Sequence, residues 1–509
     1  MGLATHDIHQ TGPHRSQIET SPVTGPERQC GPLQKHSPDY NFRMQNHLTL
    51  QLKLLLESLE LGLVERSQCV RLCLLSALAG EHTLLIGPPG TAKSELARRL
   101  HTAFREGRYF ERLLTRFTVP EELFGPLSIK ALEEDRYERH TEGFLPTASI
   151  AFIDEVFKAN SAILNALLTL LNEREFDNGA GRMRCPLISV LGATNEVPED
   201  EIADAFFDRF LLRLPVSAVS REGFSALLQV DKGLAWTAPA EELKLDAAAL
   251  ALLAGNAARM GLPDALLSLL SELRQYLATQ SIAVSDRRWV KITGLLRVAA
   301  ASDGREEVAL WDLLLLPWLT APDAARQRQV AEWLAARLGV REAFSPARLT
   351  RVVEAFERQL DTERQANDLD YDASGRLNFS ATEIATEIGN AKGDATALRM
   401  NYNRRRRYGD THIAARVGQL DALLLRIAGY AQEVEAHSTG LQTYAAGSLW
   451  LDPDLMQRAA SHLAVTQAAV QRLAERARAL RTGFLELPRL PQDNGAQPEP
   501  VACEALDAE

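Results

Sequence analysis

The run Gly87-Pro88-Pro89-Gly90-Thr91-Ala92-Lys93-Ser94 concentrates residues that handle phosphate. It fits the spacing G-x-x-x-x-G-K-[ST] at every fixed position but the second glycine, where Ala92 stands. The apolar run Thr83 to Ile86 precedes it, and the helical pattern Ser94-Glu-Leu-Ala-Arg-Arg-Leu100 follows. A tight turn between a buried strand and a helix start aims backbone N–H groups at one point, which attracts phosphate oxygens. Lys93 brings a positive charge for β and γ phosphates, and Ser94 a hydroxyl for Mg²⁺. A Gly-Pro turn ahead of an ordinary helix is the competing reading of the loop alone.

A second element narrows that choice. Ile150-Ala-Phe-Ile-Asp154-Glu155 is an apolar strand ending in two acids. Asp154 is suited to the Mg²⁺ water shell, and Glu155 to polarising an attacking water. By itself such a pair also serves as the acidic start of a helix; with the loop it is specific for a nucleotide site with Mg²⁺. Gly192-Ala-Thr-Asn195 follows an apolar run from Leu187 and sets an amide at a strand's C-terminal end, where doubly wound sheets bind ligands. A turn asparagine is the alternative there. Arg209, in Ala205-Phe-Phe-Asp-Arg-Phe, lies among aromatics, which suits a guanidinium that meets an anion or a partner, or one paired with Asp208.

The elements that must position these residues read as alternating strands and helices, hence a parallel sheet with helices on both faces. Strands are expected at Thr83–Ile86, Ile150–Ile153 and Leu187–Leu191, and amphipathic helices from His47 to about Leu63 and from Ser67 to about Ala79. After Pro215 strand signals fade, and Ala- and Leu-rich helices take over. At roughly 150 residues per domain the 509 residues make about three domains. The 46% hydrophobic and 24% charged residues belong to an ordinary globular protein.

With 67 acidic against 56 basic residues the net charge is −11, which argues against a nucleic-acid-coating protein. The five cysteines are too few and scattered for a disulfide framework, so a cytoplasmic location is expected. Cys69 and Cys73 share a helix face and read as core packing. The greasiest stretch, Val308 to Leu319, is broken by Asp312 and Pro317 and falls short of the roughly 20 apolar residues of a membrane span, so it reads as a buried helix. Asn401-Tyr-Asn-Arg404 to Tyr408 is a basic cluster that reads as a solvated or acid-paired surface, with nucleic acid or anionic lipid as the alternative. Asp368 to Asp372 starts like a calcium loop, but Ala373 and Phe379 occupy positions that such a loop needs otherwise.

Taken in order, Gly87-Pro-Pro-Gly-Thr-Ala-Lys-Ser94, Phe152-Ile-Asp-Glu155, Ala193-Thr-Asn195, Asp208-Arg-Phe210 and Ser285-Asp-Arg-Arg288 resemble the MoxR family of AAA+ ATPases. Glu65-Arg-Ser67, Phe124-Gly-Pro-Leu-Ser128, Lys158-Ala-Asn-Ser-Ala-Ile-Leu164 and Asn172-Glu-Arg174 look like its RavA branch. The resemblance implies an α/β AAA+ sandwich with an all-helical lid, then a helical bundle carrying an insertion. Its layout here is a flexible tail over 1–43, the nucleotide-binding core over 44–215 and the lid over 216–305. The bundle occupies 306–344 and 413–487, with an insertion or linker over 345–412 and a flexible acidic tail over 488–509.

By the same resemblance, Gly87 to Ser94 bind nucleotide with Lys93 and Ser94 as the Walker A pair. Asp154 and Glu155 are the Walker B pair, Ser94 and Asp154 address the metal, and Asn195 is sensor 1. Arg209 is the arginine finger reaching the next subunit, Arg287 the sensor 2 residue with Arg288 as the second choice, and Val64 approaches the adenine. A ring, in the family a hexamer, and a chaperone-like ATPase are implied, with a von Willebrand factor A protein of the ViaA type as partner. RavA proteins dock an inducible lysine decarboxylase on their insertion. The stretch here is shorter and lacks the strand-rich pattern, so that partner is not carried over. The rival readings are a nucleotide-gated scaffold, suggested by Ala92, and a DNA-dependent motor, disfavoured by the acidic charge.

Overall fold

The computed structural model describes residues 38–179, 181–195, 205–229, 236–338, 346–366, 406–451, 453–491 and 495–503. The chain divides into Met1–Asn46, of which residues 38–46 form the first turns of helix α1 (Pro38–Glu60), and His47–Glu509, which holds all that follows.

The strands are β1 (His82–Ile86), β2 (Tyr109–Leu113), β3 (Ile150–Asp154), β4 (Glu175–Asn178), β5 (Gly181–Arg184), β6 (Ser189–Thr194) and β7 (Phe210–Pro215). Five make a parallel sheet in the order β2-β3-β6-β1-β7. Its central strand β6 is buried at every residue, and β1 and β3 at all but their last, as befits strands covered on both faces. The edge strand β2, Tyr-Phe-Glu-Arg-Leu, is buried only at Phe110 and lacks the apolar run by which the other strands announce themselves. Hairpin β4–β5 pairs Glu175 with Arg184 and Asp177 with Arg182, an exposed charged ribbon. Its Gly179 has φ 72°, and a Cβ there would sit 1.5 Å from the Tyr137 carbonyl oxygen.

Helices cover both faces. Leu85, Phe152, Leu191 and Leu212 look towards α1, α2 (Ser67–Leu78) and α3 (Lys93–His101). Leu84, Ala151, Ile153 and Val190 look the other way, towards α6 (Ser161–Glu173) and the short helices α4 (Pro120–Phe124) and α5 (Ile129–Glu133). Cys73 lies in the first of these cores, with Cys69 packed against it, and burial raises both thiols, Cys69 to about 11.

After β7 come α7 (Arg221–Gln229), α8 (Ala247–Ala257), α9 (Asp264–Thr279) and α10 (Asp286–Ser302). The stretch expected as one buried helix is buried but split. A 3₁₀ turn over Leu310–Leu315 runs into α11 (Leu316–Thr320), with Pro317 in its first turn, and α12 (Ala324–Arg337) follows. Among the described residues no helix is long and apolar enough to cross a membrane.

Three helices, α13 (Pro346–Gln365), α14 (Asp410–Gly447) and α15 (Pro453–Leu485), enclose a separate core around Val353, Leu420, Ile427 and Phe484. Helix α13 corrects the expectation of an insertion or linker from 345 onwards. Its charges had masked the stripe Leu349, Val352, Val353, Phe356 and Leu360, which recurs at helical spacing and is buried in the bundle. The calcium-loop-like segment and most of the basic cluster, residues 401–405, lie outside the described residues. Within the cluster's remainder, Tyr408 is buried against the bundle, and Arg406 lies over its ring at 5.9 Å.

The turn between α14 and α15 is latched to the rest. Asp312 accepts from both terminal nitrogens of Arg305 at 2.7 Å and from Tyr444 Oη at 2.8 Å. Asp303 accepts from Arg305 at 3.0 Å and from the Leu449 N–H at 3.1 Å. Trp450 Nε1 donates to Ser302 Oγ at 2.8 Å, and Gln68 of α2 donates to the Trp450 carbonyl at 2.9 Å. One turn of the bundle thereby touches both the lid and the sheet-bearing core.

Candidate active site

The loop Gly87 to Ser94 follows β1 directly. Gly87 N donates to the Thr194 carbonyl at 3.0 Å. The Gly87 position has no room for a side chain, since a Cβ would fall 2.1 Å from the Val216 carbonyl oxygen. Pro88, Pro89 and Gly90 are exposed at the loop tip, and Thr91 Oγ1 closes the turn on the Pro88 carbonyl at 2.9 Å. Ala92 adopts φ 67°, ψ 25° and leads into α3, so the residue replacing glycine carries the left-handed conformation that glycine favours.

Lys93 is buried, and its ammonium donates to the Gly87 carbonyl and to that of Pro88 at 3.0 Å. Burial pulls it below the ordinary lysine value, while Asp154 and Glu155 pull it back up. Ser94 is half-buried in the first turn of α3.

Asp154 ends β3 at the same edge of the sheet, its Oδ1 accepting from the Glu155 N–H at 3.0 Å. Glu155 has φ 51°, a left-handed turn that swings its side chain off the strand. Asn195 Nδ2 donates to its Oε1 at 2.8 Å, and Lys158 Nζ lies 3.2 Å from its Oε2. Lys93, Asp154, Glu155 and Asn195 thus converge where β1, β3 and β6 end.

Arg209 and Arg287 do not join them. Phe210, next to Arg209, begins β7 and pairs with His82 at the start of β1, whereas the phosphate loop follows Ile86 at that strand's end. The two arginines sit close enough that Arg287 helps hold the Arg209 guanidinium below its usual value, burial being the larger cause and Asp208 acting the other way. Arg209 Nε is buried without a hydrogen-bond partner among the described residues. Arg287 is exposed and donates to Asn172 Oδ1 at 2.7 Å. Arg288 is different. It is buried, and donates to the carbonyls of Leu319 at 2.6 Å, Phe210 at 3.1 Å and Leu211 at 2.6 Å. It also lies 3.3 Å from Asp208.

Val64 is half-buried in the turn before Glu65 and Arg66. No local pattern marks Arg66 as part of the site, yet its Nε donates to the Thr91 carbonyl at 3.2 Å and its Nη2 to the Ser217 carbonyl at 2.6 Å, tying the phosphate loop to the chain after β7. Lys158, three residues after Glu155, pairs with it at a spacing that brings side chains together on one helical turn. The donor set suits a nucleotide with Mg²⁺: a recessed ammonium, a loop with no room for a Cβ at its first glycine, and a strand-end carboxylate. Lys93, Ser94 and the loop N–H groups would hold phosphates, and Ser94 and Asp154 the metal.

Residues 50–255 match the family profile described as the MoxR domain in the MoxR-vWA-beta-propeller ternary systems, and residues 265–334 match an AAA lid domain. Two uncharacterised proteins of Methanocaldococcus jannaschii are each 41% identical to this chain over 266 residues, 51% of it and 67% and 68% of their own lengths. Chaperone MoxR1 of Mycobacterium tuberculosis is 29% identical over 164 residues, 31% of this chain and 42% of the relative. With its parallel sheet, helical lid and phosphate loop, the chain belongs to the MoxR family of AAA+ ATPases.

Proposed function

We propose that this chain hydrolyses ATP to ADP and phosphate in a ring of its own copies, and uses the cycle to remodel or help mature a partner protein. The observation that carries the reading is the division of the charged residues: Lys93, Asp154, Glu155 and Asn195 meet at one edge of the sheet, Arg209 and Arg287 at the opposite one. Lys93 draws the β and γ phosphates into the loop. Glu155 orients water for attack on the terminal phosphorus, and Asn195 fixes the carboxylate that does so. Mg²⁺, when bound by Ser94 and Asp154, supplies positive charge to the phosphate oxygens. Arg209 and Arg287 of one copy serve the nucleotide of the next, so turnover depends on assembly. The family profile's description supports a von Willebrand factor A partner. The RavA-like motifs support placing the chain near that branch, and free thiols at Cys73 and Cys185 accord with a cytoplasmic site.

A nucleotide-gated scaffold with little hydrolysis is the second reading. It is favoured by the strained Ala92 and by the hold of Asn195 and Lys158 on Glu155. ATP turnover and solution mass, measured for the wild type, Lys93→Ala, Glu155→Gln and Arg209→Ala with and without DNA, separate the cases. The ring ATPase predicts turnover lost in all three variants, an ATP-dependent assembly, and no response to DNA. Tight ATP binding with negligible wild-type turnover selects the scaffold, and stimulation by DNA selects a DNA-dependent motor.

A further inference from the structure

Helix α7 carries an apolar face that its own chain leaves uncovered among the described residues. Phe224, Leu227 and Leu228 share that face by their spacing and are 53%, 43% and 70% exposed, and no residue of α7 is buried. Its N-terminus is nonetheless anchored. Glu65 accepts from the Ser220 N–H at 2.8 Å and from the Ser220 hydroxyl, and the adjoining Arg66 grips the phosphate loop at Thr91. The apolar face therefore starts from the nucleotide edge of the molecule.

On the lid, the end of α9 and the start of α10 enclose an open groove of about 520 Å³, lined by Leu277, Ile282, Val284 and Trp289. Trp289 Nε1 is buried without a hydrogen-bond partner among the described residues. Ser285 also lines this groove, and Arg287 emerges two residues later, beside Arg209. On the ring reading the anion these arginines serve is a nucleotide, and the phosphate loop of their own chain lies at the other end of the strands. A second copy that brings its nucleotide to them also brings the base of its α7 to the groove beside them.

We propose that α7 of one copy docks its Phe224–Leu228 face into the lid groove of the next, so that each nucleotide site is closed by the neighbour's arginines and lid together. This rests on the ring reading above. The occupant is a second copy of this chain because one contact then brings an anion to Arg209, whose buried Nε has no hydrogen-bond partner among the described residues, and covers the helix face. Helix-in-groove docking of this kind uses apolar anchors at i, i+3 and i+4, which is the spacing α7 presents.

The test uses the full chain with Cys30 and Cys503 replaced by serine. Leu228→Cys and Val284→Cys are made as separate proteins, mixed with ATP and treated with a short bismaleimide. Cross-linked dimers are expected in the mixture and not in either protein alone. In parallel, Phe224→Ser with Leu228→Ser is expected to raise the concentration needed for ATP-dependent assembly by about tenfold or more, with ATP affinity unchanged. Wild-type assembly with no cross-link and no effect of the double variant overturns the docking and leaves the ring standing. A wild type that stays a monomer with ATP overturns both.

Discussion

The two edges of the central sheet treat their charges in opposite ways. Where the strands end, Lys93 is held by two carbonyls and faced by Asp154 and Glu155, and Glu155 in turn is held by Asn195 and Lys158. Where β7 begins, Arg209 and Arg287 lie side by side, one guanidinium nitrogen buried with no hydrogen-bond partner among the described residues. The first edge pairs its charges within the chain; at the second, among the described residues, the acid beside Arg209 is Asp208, which Arg288 and Arg213 also share. On the proposed ring reading, the second edge is half of a site that another copy finishes.

The largest expected effect tests that division directly. Arg209→Ala should lower turnover about 10³- to 10⁵-fold while ATP still binds. Mixing Arg209→Ala with Glu155→Gln should then restore part of the turnover, because some interfaces join an intact Glu155 to an intact Arg209. Mixing Lys93→Ala with Glu155→Gln should restore none, since both residues belong to one subunit's site. Two equally dead mixtures would break the comparison and return Arg209 to its own subunit.

Two adjacent arginines sharpen it next. Arg288 spends its guanidinium on four carbonyls and the Asp208 carboxylate, all inside the fold. Arg288→Ala should cost about 3–5 kcal/mol in chemical denaturation. Arg287→Ala should change stability by no more than about 0.5 kcal/mol, as an exposed side chain does, yet lower turnover. The reverse pattern would make Arg287 structural.

A third test uses the latch, where charges are paired within the chain as they are at the nucleotide edge. Burial is the main cause that pushes the Asp303 carboxyl up to about 7, with Arg305 and the Leu449 N–H opposing it and Asp312 adding to it. The folded state then keeps a proton that the unfolded chain has lost, so Asp303 stabilises the fold at low pH, and that contribution fades as pH rises towards 7. Between pH 5 and pH 7 it should fall by about 2 kcal/mol. Asp303→Asn, which keeps an acceptor for Leu449, should flatten that slope in denaturation curves taken across the range. An unchanged slope would mean that Asp303 is ionised in the folded chain.

Legibility in the sequence followed contiguity. The phosphate loop, the acids after β3 and Asn195 after β6 each sit in a short run whose apolar strand announces the polar residue at its end. The same logic named Arg209 but gave no hint of which edge it would occupy, because that depends on where β7 starts. Edge strand β2 and hairpin β4–β5 were missed for lack of an apolar run, and α13 because its buried stripe is interleaved with charges. Arg66 and the latch are contacts between distant segments, which no local pattern encodes.

The smallest effect lies inside the edge that is otherwise complete. Ala92 pays for a left-handed backbone that costs a residue with a Cβ about 1–2 kcal/mol. Ala92→Gly removes that strain but adds about 0.4–1 kcal/mol of unfolded-chain entropy to be lost on folding. A net gain of about 0.5–1 kcal/mol should remain, read as a slightly higher unfolding midpoint. If the loop already holds its working conformation, turnover should stay near the wild-type value, because the glycine adopts the same φ. A large rise in turnover would show instead that the alanine restrains the loop. The nucleotide edge would then be as unfinished as the arginine edge, and the scaffold reading would take precedence.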